Sequence, residues 1–288
     1  LTNSGRSNLM DYKKYRVSGK GKIRLKDFDP NDASEFDGKK KAGEEALIKV
    51  NQDIEALQEQ MFAEGKRRLI VLVQAIDTAG KDGVLSYVVE RGHPSGGRVA
   101  AFKAPSAIEL SHDYLWRVHA QTPGKGEIVI FNRSHYEDVL VVRVHSLVPK
   151  EVWSKRFDHI NNFEKMLVDE GTTILKFFLN IDLQTQAERF LARVEDPTKT
   201  WKFNPGDLEE RKLWPQYMEA YEDVLNKTST EYAPWYVIPS NKKWYRNLLI
   251  ANILRDTLKG FKMSYPEPPA DLEGYHKKLL EMTLSKEG

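Results

Sequence analysis

Residues 69–91 constrain the fold most: an apolar run, LIVLVQ, leads into AIDTAGKDG and then into VLSYVVER. The run has no polar alternation, so it predicts a strand covered on both faces, as in a parallel sheet. A helix is predicted to follow the turn. A turn between strand and helix aims backbone N–H groups at a phosphate, with the positive end of the helix dipole behind them. Gly80 allows close backbone approach, and Lys81 follows at once with an ammonium able to reach between phosphoryl groups. Thr78, Ala79, Gly80, Lys81, Asp82 and Gly83 are therefore candidate phosphate-binding residues. The pattern G-x-x-x-x-G-K-[ST] is broken twice, by Ala75 at the first glycine and Asp82 at the hydroxyl position. Asp77 is the unusual member. A carboxylate beside a phosphate chain is repelled unless a divalent cation stands between them, so Asp77 is a candidate Mg²⁺ (or Mn²⁺) ligand or a base. The plainer alternative is an ordinary turn with Asp77 as helix cap.

Further strands are expected at Arg98–Lys103, Glu127–Phe131, Thr172–Leu179 and Trp235–Ile238. Helices are expected near Lys40–Gly65, Ala107–Ala120, Lys150–Glu170, Leu183–Val194, Asp207–Lys227 and Lys242–Leu258. Gly65 reads as a helix stop and Asp182 as an N-cap. Strands alternating with helices argue for a doubly wound, three-layer α/β/α fold with a parallel sheet of about five strands. Residues 1–39 read as an arm with little regular structure, 40–268 as a single domain with a lid at about 189–210, and 269–288 as an irregular tail.

Composition narrows the function. Forty-four Lys and Arg are balanced by 42 Asp and Glu, for a net charge of +2. That balance gives no overall electrostatic case for nucleic-acid or membrane partners. There is no cysteine, which rules out a thiolate metal site and fits the expected cytoplasmic location. No apolar run is long enough to span a bilayer, and the first residues lack the order of a signal peptide.

A second cluster, FNRSHYEDV, follows the third strand. Ligands of such sheets bind beyond the carboxyl ends of strands, which brings Asn132, Arg133 and Glu137 toward the phosphate turn. Arg133 offers a planar fork for phosphate oxygens. Tyr136 is a candidate to stack on a base or to sit in the core, Arg143 to face the site or to be ion-paired, and His135 reads as structural. In RVEDPTKTWKFNPG, Arg193, Lys199 and Lys202 form a candidate cationic lid that offsets transition-state charge, with Trp201 as its anchor. Lys66, Arg67, Arg68, Arg91, Lys103 and Arg117 are candidate cations for a long anionic substrate.

AIDTAGKDG, FNRSHYEDV and RVEDPTKTWKFNPGD, in this order and spacing, resemble polyphosphate kinase family 2. The likeness runs from about Tyr12 to Pro268 and includes APSAIELSHDYLWRVH and PWYVIPSNKKWYRN. It implies a P-loop, thymidylate-kinase-like fold with a helical lid, and Mg²⁺-dependent, reversible phosphoryl transfer between inorganic polyphosphate and a nucleotide. It carries catalytic roles onto Asp77, Lys81, Arg133, Arg193, Lys199 and Lys202, with Asp77 as metal ligand. It also implies a homo-oligomer, dimer or tetramer. NRSHYED and Ala75 resemble the subgroup that uses nucleoside mono- and diphosphates, while Asn132 replaces an aspartate found in many members. An ATP-dependent nucleoside monophosphate kinase and a non-catalytic polyphosphate-binding protein are the competing readings.

Overall fold

The structure is a computed structural model that describes residues 10–19, 21–89 and 96–284. Arg91 lies outside the described residues. In chain order the elements are α1 (Lys40–Glu64), β1 (Arg68–Ala75), α2 (Lys81–Val89), β2 (Gly97–Ala101), α3 (Ala107–Leu110), α4 (Trp116–His119) and β3 (Glu127–Asn132). Then come α5 (Val141–Val144), α6 (Lys150–Trp153), α7 (Arg156–Asp169), β4 (Thr172–Asn180), α8 (Leu183–Glu195), α9 (Gly206–Lys212) and α10 (Trp214–Thr228). The chain closes with β5 (Trp235–Pro239), α11 (Lys243–Gly260) and α12 (Leu272–Leu284).

The strands form one parallel sheet in the order β2-β3-β1-β4-β5. From β1 the chain goes to edge strand β2, returns to β3 between them, then crosses to β4 and β5 on the other side. β1 therefore ends where the winding reverses, the usual ligand crevice of such sheets. Helices cover both faces, so β1, β4 and β5 are apolar nearly throughout, and only edge strand β2 is substantially exposed. α11 packs beside α1, with every residue from Tyr245 to Leu254 buried. Gly65 ends α1 in the left-handed conformation at φ 62°, and Asp182 caps α8 by accepting from Thr185 N at 2.7 Å.

Several helices are shorter than the periodicity predicts. The expected Ala107–Ala120 helix is two single turns, α3 and α4. Ser106 and Glu109 form a capping box on the first, and Asp113 accepts from Leu115 N at 3.0 Å between them, so side chains compete for the helical backbone. The expected Asp207–Lys227 helix breaks at Leu213, because Pro215 has no N–H to donate to the carbonyl four residues back and instead sits in the first turn of α10. The Lys150–Glu170 helix is interrupted at Ser154–Lys155, both of which keep helical dihedrals. The tail is not irregular throughout: α12 begins at Leu272, with Asp271 accepting from Gly274 N at 3.1 Å.

The arm is laid against the domain. Val17 N donates to Trp235 O at 2.9 Å, Arg16 bridges Tyr236, and Leu25 N donates to Glu222 Oε1 at 2.8 Å. Met10, Tyr15, Val17 and Leu25 join the main core. This contact covers the open edge of β5.

Candidate phosphoryl-transfer site

The phosphate turn leaves β1 at Ala75 and enters α2 at Lys81. Two residues adopt left-handed backbone: Thr78 at φ 65° and Gly80 at φ 102°. The carbonyls of Thr78 and Ala79 face two arginines. Arg189 of α8 donates to Thr78 O and Ala79 O at 2.9 and 3.0 Å, and to Ser240 O and Asn241 O at 2.6 and 3.0 Å. Arg246 of α11 donates to Ala79 O at 2.9 Å, and Gln186 to Asp77 O at 3.3 Å. The turn is thus tied through its own carbonyls to α8 and α11. Neither arginine was among the expected site residues, although Arg246 lies in PWYVIPSNKKWYRN, because their partners on the turn are far away in the sequence.

Gly80 is required twice over. A Cβ there would stand 1.9 Å from Arg246 Nη1, and its φ is one that side chains rarely adopt. Gly80→Ala is expected to lower unfolding free energy by more than about 1 kcal/mol, read by urea denaturation. An unchanged midpoint would show that the turn relaxes freely.

Lys81 donates to Ala75 O at 2.9 Å. Burial pushes its ammonium below the usual lysine range and Arg133 adds to this, while Asp77, Glu137 and Asp82 oppose it. β3 pairs with β1 so that Asn132 lies opposite Val73, which delivers the next residue, Arg133, to the turn. Arg133 is held in left-handed backbone at φ 62°, its N–H donating to Val73 O at 3.3 Å. Its guanidinium lies 3.9 Å from the Asp77 carboxylate. Burial pushes the Glu137 carboxyl up, opposed by Arg133, Lys81 and a hydrogen bond from Gln74. Asp77, Arg133 and Glu137 line one small cavity of about 40 Å³ with Asp207, Glu210 and Tyr217 from the lid side.

The cations of 193–202 pair with carboxylates. Arg193 lies 3.7 Å from Asp207, Lys202 lies 4.0 Å from Asp82 on the first turn of α2, and Lys199 pairs with Asp196. Lys202 thereby reaches across to the phosphate turn. Lys243, at the start of α11, joins the same cationic field. Burial pushes its ammonium down, reinforced by Arg189, Arg246, Lys199 and Arg193. Sequence reading gave it no role, although it lies in PWYVIPSNKKWYRN, because cations it joins, Arg189, Arg193 and Lys199, come from α8 and the segment after it. Trp201 does not anchor the lid by burial: it is 77% exposed, and its indole N–H donates to Thr198 O within the loop.

Other expected residues lie elsewhere. Arg143 is spent on Glu219 and Asp223, each at 2.6 Å, and lies 4.7 Å over the Trp153 ring. Tyr136 is in the core, donating to Glu164 at 2.8 Å, and so offers no face to a base. His135 is buried and structural, 3.3 Å from the same Glu164 carboxylate. Asn132 is half-buried at the end of β3. Lys103 is exposed, and its carbonyl accepts from Arg117 at 2.8 Å. Lys66, Arg67 and Arg68 precede or open β1, at the opposite end of the sheet from the turn. Arg67 pairs with Glu64 at 3.4 Å and Arg68 donates to Glu170 O at 2.6 Å.

Beneath the Arg133–Glu137 corner lies a buried charged network that the sequence did not announce. Lys176 of β4 donates to Glu164 at 2.6 Å, Tyr136 Oη at 2.9 Å and Thr228 O at 2.7 Å. Lys176 and Glu164 are both fully buried.

The chain is similar to several known proteins. The profile of the family described as Polyphosphate kinase 2 (PPK2) matches residues 37–266. An AMP/ADP-polyphosphate phosphotransferase of Meiothermus ruber is 58% identical, covering 89% of this chain and 96% of the relative. An ADP-polyphosphate phosphotransferase of Rhodopseudomonas palustris is 41% identical, covering 88% and 92%. The crystal structure of polyphosphate kinase 2 from Arthrobacter aurescens TC1 superposes with a TM-score of 0.90 at 41% identity, covering 93% of this chain and 96% of that one. The strand order, the turn around Lys81 and these likenesses together make the chain a member of the polyphosphate kinase 2 family.

Proposed function

We propose that this protein is a polyphosphate:nucleotide phosphotransferase. It moves a phosphoryl group reversibly between inorganic polyphosphate and a nucleoside mono- or diphosphate, AMP/ADP or GMP/GDP. The observation that carries this reading is the meeting of three segments at one end of the sheet: the Lys81 turn, the Arg133 corner and the lid that reaches Asp82 through Lys202. A phosphoanhydride is an activated donor, so no covalent nucleophile is needed. The task is to align two polyanions in line and offset their repulsion. In this reading Lys81 and Arg133 hold the transferring group, and Arg193, Lys199 and Lys202 exchange their carboxylate partners for phosphate oxygens as the lid closes. We also propose a cytoplasmic location and assembly as a dimer or tetramer, the latter tested by light scattering.

Mg²⁺, or Mn²⁺, fits the residues present. The turn offers two hard-oxygen groups, the partly exposed Asp77 carboxylate and the Thr78 hydroxyl, which is buried without a hydrogen-bond partner. No cluster of three or more His, Asp or Glu able to hold a metal occurs among the described residues, which matches a metal held mostly by substrate phosphates and one or two carboxylates. When bound, such an ion would neutralise phosphate charge beside Asp77. Asp77→Asn is expected to lower metal-dependent turnover by at least about tenfold while leaving the thermal midpoint nearly unchanged, because Asp77 is a surface carboxylate. Turnover close to wild type at every metal concentration would remove Asp77 from the site.

A further inference from the structure

Resting on that reading, the structure assigns Arg189 of α8 as a positioning residue for the phosphate chain at the turn: with Gln186 it holds the carbonyl side of the turn, so that the N–H side opens toward phosphate. Three successive carbonyls are held. Gln186 donates to Asp77 O at 3.3 Å, Arg189 to Thr78 O and Ala79 O at 2.9 and 3.0 Å, and Arg246 also to Ala79 O at 2.9 Å. A trans peptide unit carries its C=O and its N–H on opposite sides, and none of the described peptide bonds is cis. The unit that gives Asp77 O to Gln186 therefore aims the Thr78 N–H away from α8. The unit that gives Ala79 O to the two arginines likewise aims the Gly80 N–H away from them. Neither N–H donates to another group among the described residues, while the Ala79 N–H between them closes the turn on Ile76 O at 3.3 Å. Free N–H groups in a turn that contains left-handed residues, here Thr78 and Gly80, make a concave site for an anion.

α8 makes these contacts at a cost. Gln186 and Phe190 are buried and Arg189 reaches inward to the turn, while Leu183, Leu191 and Val194 are 42%, 57% and 49% exposed. A surface helix ordinarily turns its apolar stripe inward. A chain that does the reverse gives up stability for what its polar face touches, a pattern expected at functional sites. The charge of Arg189 is also uncancelled at close range: among the described residues no carboxylate stands at ion-pair distance from it. Its hydrogen bonds go to backbone carbonyls, those of the turn and those of Ser240 and Asn241 at 2.6 and 3.0 Å. Burial pushes its guanidinium below the usual arginine range, opposed by Asp182 and Glu188, yet an arginine keeps its proton in a protein. An amide whose C=O accepts from a cation donates more strongly through its N–H, so Arg189 sharpens the turn as well as orienting it. A planar fork can bridge the turn to the segment after β5, and a single ammonium cannot. Arg193 stands one turn further along α8, so the helix that holds the turn also carries the first cation of the proposed lid.

Arg189→Met removes the fork while filling its space, and Arg189→Lys keeps the cation without the fork. Inorganic tripolyphosphate with Mg²⁺ is titrated calorimetrically into wild type and both variants. The Met variant is expected to bind at least about tenfold more weakly, the scale of one charge-assisted hydrogen bond, and the Lys variant at least about threefold. In turnover assays kcat/KM for polyphosphate falls in the same order, with KM for AMP within about twofold of wild type, a split that general loosening of the fold would not give. The Lys variant decides the matter should the Met variant not fold. A loss smaller than about threefold in the Lys variant, or than about tenfold in a folded Met variant, would overturn the assignment. So would a rise in KM for AMP equal to that for polyphosphate, or a wild-type protein that binds no tripolyphosphate. Because titration needs no turnover, it separates this assignment from the proposed reaction: a protein whose tripolyphosphate affinity depends on Arg189 but which makes no ADP from polyphosphate loses the reaction and keeps the role of Arg189.

Discussion

Lys81→Ala is expected to lower kcat by at least about a hundredfold, the scale of losing one preorganised electrostatic contact to a transferring group. The folded protein should survive the change. Lys81 is a cation that burial already disfavours, and among the described residues it donates to Ala75 O. Removing it relieves a desolvation cost while the turn stays fastened by Arg189 and Arg246. Steady-state kinetics at saturating substrates, with circular dichroism melting as a control, separates the two effects. A kcat within a few fold of wild type would take Lys81 out of the chemistry.

Lys176→Met is expected to cost stability rather than a catalytic group: about 3–5 kcal/mol in urea denaturation, the range for breaking a buried ion pair from one side. The methionine leaves Glu164 charged in the core, where among the described residues Tyr136 and His135 still hydrogen-bond it. Replacing both partners, Lys176→Met with Glu164→Leu, should recover a large part of that loss, because no unpaired charge then remains. A single variant as stable as wild type would show that water reaches the pair. The network matters for function because His135 and Tyr136 lie between Arg133 and Glu137 in the chain. Loosening them loosens the corner that faces the phosphate turn.

The meeting of the turn and the Arg133 corner was legible because short-range rules decide it. LIVLVQ needs cover on both faces, EIVIF needs the same, and two such strands side by side bring their ends together. The cations of 193–202, proposed as a lid, stand out in the sequence as a run of Lys and Arg broken by proline. What escaped notice depends on partners far off in the chain. Arg189, Lys243 and Arg246 act on a turn more than a hundred residues earlier, and only the folded path of α8 and α11 brings them there. Lys176 interrupts an apolar strand and reads as a flaw until Glu164 arrives from α7. Arg143 and Tyr136 carry the right chemistry for a nucleotide, yet carboxylates on α10 and Glu164 on α7 claim them first. The tail helix was hidden by the prolines of PEPPADLEG, the last of which, Pro269, stands three residues before α12 begins at Leu272.

The most direct test is a donor comparison. ADP formation from AMP is measured at equal phosphoanhydride concentrations of long-chain polyphosphate and of ATP, with Mg²⁺, following each phosphorus species by ³¹P NMR. The account predicts rapid ADP formation with polyphosphate, shortening of the polymer, and little or none with ATP. Turnover sustained by ATP while polyphosphate stays intact would contradict it.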